Sequence, residues 1–167
     1  MRNFAKKPTL VTQEDVRLFL IFWLPPWLWM SLLLFFSGDL GSSKTSLSII
    51  RWLLSWIPGL TSRDILTIHN VFRKLVGHLG AYAVLYVLWF RALRGHLAWR
   101  SLPALLTAMF LCLGVALMDE GHQMLLTSRQ GSFWDVGLDM VGVSLSAVPC
   151  WFFWAMPASP GYTRVEK

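Results

Sequence analysis

Charge is scarce in this chain. Asp, Glu, Lys and Arg make up 14% of its 167 residues, against 55% hydrophobic residues. A soluble domain uses about a quarter charged residues to cover its surface, so a water-soluble globule is excluded. Cysteine is nearly missing: Cys112 and Cys150 both lie inside apolar runs, with no CxxC and no metal-ligand spacing. That excludes a disulfide framework and a zinc knuckle, and both thiols are expected to be small core or lipid-facing residues. No internal repeat or low-complexity stretch is present, which disfavours a small repeat-built transporter. No small-residue cleavage site follows the first apolar run, and Glu14, Asp15 and Arg17 precede it. That run therefore reads as an uncleaved span rather than a signal peptide.

What is present is long apolar runs. Mean hydropathy is +0.52, and a helix needs about 20 apolar residues to cross the hydrocarbon core. The pattern predicts a single all-α integral membrane domain over residues 1–167, with about four transmembrane helices at roughly 18–36, 75–90, 102–118 and 134–156. Pro25-Pro26 is expected to kink or break the first span, and Pro149 to bend the fourth. Residues 42–57 carry Leu47, Ile50, Leu53, Leu54 and Ile57 at helical spacing, with Lys44 and Arg51 among them. They predict an amphipathic interfacial helix between the first and second spans, with Trp52 and Trp56 suited to the headgroup level. A further helix is expected from Ser62, with Ser62 or Asp64 near its cap, beginning amphipathic and running into the second span.

The net charge is +6, and the basic residues sit between or beside the apolar runs. Orientation signals and anionic lipid contacts account for them, and no nucleic-acid partner is implied. With a cytoplasmic N-terminus, that side holds Arg2, Lys6, Lys7, Arg17, Arg91, Arg94, Arg100, Arg164 and Lys167, and the other holds Lys44, Arg51, Arg63, Arg73, Lys74 and Arg129. Short loops obey the positive-inside rule best, and the short connection through Arg91, Arg94 and Arg100 places both termini in the cytoplasm.

Three polar groups interrupt this pattern, and ionisable residues in or beside a span ask for a partner or a wet cavity. Arg73, Lys74, His78 and Tyr82 stand at the start of the second span, with Lys74, His78 and Tyr82 on one helical stripe. Snorkelling basic residues are the plain alternative there. Asp119, Glu120, His122 and Gln123 end the third span, where acidic residues oppose the helix dipole. Arg129, Ser132, Asp135 and Asp139 lead into the fourth. Asp135 suits a first-turn capping role, while Gly142 and Ser146 continue the stripe of Asp139 and allow close helix packing. His69 reads as incidental. In the expected topology all three groups fall at one level, on the extracytoplasmic face.

The run Asp119-Glu120-Gly121-His122-Gln123, then Ser128-Arg129-Gln130-Gly131-Ser132, then Asp135-Val136-Gly137-Leu138-Asp139 with Gly142 resembles the signature of VanZ-like membrane proteins. Arg73-Lys74 with His78 and Tyr82, and the Phe36-Ser37-Gly38 exit from the first span, resemble that family too. The likeness covers Leu18 to Met156. One departure is the Lys74–His78 interval, a residue wider than the family spacing. The family's namesake is associated with low-level teicoplanin resistance, so the resemblance implies a cell-envelope role in a bacterial cytoplasmic membrane rather than a particular reaction.

Two functions are consistent with these residues. In the first, the outer face binds or processes a lipid-linked phosphate or glycopeptide-related envelope component. Asp119, Asp135 and Asp139 would hold Mg²⁺ or Mn²⁺. Arg73, Lys74 and Arg129 would contact phosphate, with Tyr82, Gln123 and Ser132 as further binding groups. His78, His122 and Glu120 are the candidate acids and bases. In the second, the charged residues form structural ion pairs in a non-catalytic bundle, and the outer face binds lipid, antibiotic or a partner protein.

Overall fold

The computed structural model describes residues 12–38, 43–98, 100–127 and 131–154, and among them all regular structure is helical. Helix α1 spans Gln13–Ser37 and starts five residues before the expected span. Its start is set by a capping box: Thr12 Oγ1 accepts from Asp15 N at 3.2 Å, and Thr12 N donates to Asp15 Oδ2 at 3.0 Å. Two orphan donors of the first turn are satisfied in this way.

Pro25 and Pro26 both lie inside α1, which is not broken into two pieces. Proline removes the N–H that would bond the carbonyl four residues earlier, which for Pro25 is the carbonyl of Ile21. Arg91 replaces that donor: its Nη1 reaches Ile21 O at 3.0 Å, and its guanidinium sits over the Phe22 ring at 4.7 Å.

Helix α2, Ser43–Leu54, is the expected amphipathic helix, with Ile49, Trp52 and Leu53 exposed. Helix α3, Ser62–Phe72, has Thr61 as its cap, one residue before the expected position, with Asp64 closing a second capping box. It does not end before the second apolar run. It continues through a π-helical stretch, Arg73–Gly80, into α4, Ala81–Gly95. The result is one helical column of 34 residues, the helix expected from Ser62 into the second apolar run.

Helix α5, Ser101–Met124, continues past Met118 and carries Asp119, Glu120 and Gln123 on its last turns. Helix α6, Phe133–Trp154, contains Pro149. Among the described residues three helices are long and apolar enough to cross a bilayer: Gln13–Ser37, Ser62–Gly95 and Ser101–Met124.

The core lies around α4, which packs against α1, α5 and α6. Tyr82, Leu85, Tyr86, Trp89 and Phe90 form its buried face. Opposite them α5 presents Ala104, Ala108, Cys112 and Ala116, all fully buried and four residues apart. Small residues at that spacing let helices approach closely where lipid supplies no hydrophobic drive. Cys112 and Cys150 are free and buried, so both thiols are core residues. Large apolar side chains such as Phe19, Trp27, Leu28 and Phe110 face outward, the reverse of a soluble protein's surface.

Candidate functional site

The end of the bundle where α5 finishes and α6 begins is polar inside. It is built from three elements: the π-helical stretch, the last turns of α5 and the first turns of α6. Close approach is made possible by Gly142, where a Cβ would overlap the carbonyl of Leu79, and by Gly131, where one would overlap the carbonyl of Glu120. These glycines bring the carboxylates of α5 and α6 up against His78.

His78 Nδ1 lies 3.1 Å from Asp139 Oδ1, and its Nε2 lies 4.0 Å from Asp135 Oδ2. With Asp139 ionised, Nδ1 is the donor, and the ring orientation is fixed by that bond. Asp139 is fully buried, and its Oδ2 has no hydrogen-bond partner among the described residues. On the α5 side, Tyr82 OH donates to Asp119 Oδ2 at 3.2 Å, and Gln123 Nε2 donates to Asp119 Oδ1 at 3.2 Å and Glu120 Oε1 at 3.4 Å. The backbone N–H of Ser132 donates to Glu120 Oε2 at 2.7 Å, while Ser132 Oγ accepts from Trp134 N at 3.2 Å. The second of these satisfies a donor at the start of α6, so Ser132 caps that helix.

His78, Tyr82, Asp119, Glu120, Gln123, Ser132, Asp135 and Asp139 are thus drawn together. Lys74 and His122 are not: both are exposed. Side chains of an α-helix are spaced about 100° apart. Asp119, Gln123 and Glu120 therefore occupy one sector of α5, and His122 falls outside it. Lys74 stands exposed in the π-helical stretch, whose bonding runs from residue i to i+5, while its neighbour Arg73 lines a cavity together with His78. Arg129 lies outside the described residues.

Beside the cluster opens a cavity of about 1030 Å³. Leu32, Leu33, Ile50, Leu54, Phe72 and Val84 are among its apolar walls, and Arg73, His78, Asp119 and Gln123 stand where it meets the cluster. His69 and Ser46 also line it, joined by a 2.8 Å hydrogen bond between His69 Nε2 and Ser46 Oγ that ties α3 to α2. His69 is buried, against the expectation that it is incidental. Its spacing to Arg73 and His78 along one column was the signal in the sequence.

The sequence model of the VanZ/LLP1 family matches residues 22–154, from the middle of α1 to the end of α6. The chain belongs to the VanZ/LLP1 family. The resemblance read from the acidic motifs is thereby borne out, and every residue of the polar cluster lies within the match. With three helices long and apolar enough to cross a bilayer, this VanZ/LLP1 chain is a membrane protein of the envelope class. No curated protein and no solved structure matches it.

Proposed function

We propose that this VanZ/LLP1 protein binds a lipid-linked phosphate at the outer face of the bacterial cytoplasmic membrane. The lipid chain occupies the apolar cavity and the headgroup meets Arg73 and the His78 cluster. The carrying observation is the amphipathic shape of the cavity: about 1030 Å³, apolar along its walls and polar where Arg73, His78, Asp119 and Gln123 line it. Small-molecule pockets run to roughly 300–1,000 Å³, so this one suits a large amphiphile. His78, oriented by Asp139, lines the cavity at the end where the headgroup would sit.

Binding is tested by thermal unfolding in detergent with a polyisoprenyl phosphate and with the corresponding polyisoprenol. The phosphate is expected to raise the melting temperature and the alcohol to leave it unchanged. A hydrogen bond to a charged group contributes about 1.5–3 kcal/mol, so Arg73→Gln is expected to weaken phosphate binding by about ten- to a hundredfold. Equal shifts from both lipids, or none from either, would sink the proposal.

The orientation that goes with this reading has four spans, with α6 as the fourth, and both termini in the cytoplasm. It places the α5–α6 turn outside and the α4–α5 turn inside. Because Cys112 and Cys150 are buried, introduced cysteines can be labelled over a low background. Leu125→Cys is expected to react with a membrane-impermeant maleimide on intact cells, and Leu97→Cys only after permeabilisation. The opposite pattern would place the cluster on the cytoplasmic side.

A further inference from the structure

Three donor side chains from three elements meet at the centre of the cluster. Among the described residues His78, Glu120 and Asp139 each present a metal-ligating type of atom, and these atoms lie within 4.8 Å of one another. All three residues are buried. Ligands bonded to one ion at about 2.0–2.2 Å lie no more than about 4.4 Å apart. Movements of about half an ångström would therefore close this set on a cation.

A second observation points the same way. Asp139 is fully buried, its Oδ1 is engaged by His78, and its Oδ2 has no hydrogen-bond partner among the described residues. Leaving a buried carboxylate oxygen without donors is costly, and a cation is the partner that removes the cost. The charge pattern agrees, since the carboxylates of Asp119, Glu120, Asp135 and Asp139 surround a single imidazole, with Arg73 on the cavity side. We propose that His78, Glu120 and Asp139 form a site for one divalent transition-metal ion of the Mn²⁺ or Zn²⁺ class.

The donor set selects the metal. Imidazole with carboxylates suits Mn²⁺ and Zn²⁺, whereas Mg²⁺ prefers oxygen ligands and retains its waters. The set differs from the Asp119, Asp135 and Asp139 expected from the sequence. The ligand-type atoms that converge belong to His78, Glu120 and Asp139, and Asp119, held by Tyr82 and Gln123, stands behind the site. Its Gln123 bond also orients Glu120, in the way that outer partners commonly position metal ligands. The site stands on the cluster alone and does not depend on what fills the cavity.

The test uses full-length protein in detergent, stripped with a chelator and dialysed against Mn²⁺ or Zn²⁺. One ion per chain is expected by elemental analysis, and the Mn²⁺ resonance is expected to show coupling to an imidazole nitrogen. Glu120→Gln and Asp139→Asn should each weaken binding by about 10–100-fold or more, with helicity and elution volume checked for both. Should Asp139→Asn not fold, Glu120→Gln and the nitrogen coupling in the wild type decide the matter. No ion retained by the wild type at micromolar metal overturns the proposal. So does a Mn²⁺ signal without nitrogen coupling, or unchanged affinity in folded variants. Metal binding without polyisoprenyl phosphate binding would leave this site standing and remove the lipid reading, and the reverse would do the opposite.

Discussion

In metal-free protein, His78→Ala is expected to destabilise the bundle by about 3–5 kcal/mol, the usual consequence of removing one partner from a buried pair. The reason is Asp139. Its Oδ1 is held by His78 at 3.1 Å and its Oδ2 has no partner among the described residues, so the substitution takes the one described hydrogen bond from a fully buried carboxylate. His78→Ala/Asp139→Ala removes the stranded group as well, and is expected to be more stable than His78→Ala alone. Thermal unfolding of the wild type, both single variants and the double variant gives the coupling, for which adjacent residues commonly show about 0.5–3 kcal/mol.

The same four proteins separate the two readings of the cluster. If the pair only locks helices together, the double variant regains function in a complementation assay along with its stability. If the pair is a working site, stability returns without function. A double variant as unstable as His78→Ala would show that the stranded carboxylate is not the source of the loss.

The second large effect concerns a residue with no side chain. Gly142→Ala is expected to cost about 3 kcal/mol, at the upper end of what overpacking typically does. The added Cβ meets the carbonyl oxygen, carbonyl carbon and Cα of Leu79. These are backbone atoms of the π-helical stretch and cannot rotate away, so α6 has to retreat. Leu79 follows His78 directly, and Asp139 precedes Gly142 by one turn on α6, so the retreat also stretches the His78–Asp139 bond. Gly142→Ala is therefore expected to lower both the melting temperature and metal affinity. Gly114→Ala is the control, because nothing lies within 4 Å of a Cβ there. It is expected to be neutral or to gain up to about 1 kcal/mol in helix propensity. Equal losses from both substitutions would mean that close approach at Leu79 does not matter.

Much of the molecule follows from local pattern. The membrane character, the helical class and the amphipathic α2 rest on run length and 3.6-residue periodicity, which depend on nearby residues alone. The family is carried by the acidic motifs, whose order along the chain is itself the signature. Residues Asp119, Glu120, Gln123, Asp135 and Asp139 could be grouped without coordinates because two helix ends joined by a short turn must lie close together.

Tertiary structure decided what spacing could not. Spacing put Lys74 on a stripe with His78, but only the packed structure shows Lys74 exposed and Arg73 lining the cavity beside His78. His122 looked equivalent to its neighbours because a sequence shows spacing but not which sector of α5 turns inward. The continuous helix from Ser62 into the second apolar run was legible from the pattern, whereas the reason it can carry the polar residues Arg73, Lys74 and His78 was not. They are tolerated where α6 brings its own carboxylates against them. Asp139 meeting His78 across 61 positions depends on Gly142 lying flat against Leu79, a contact between two backbones that no local pattern encodes.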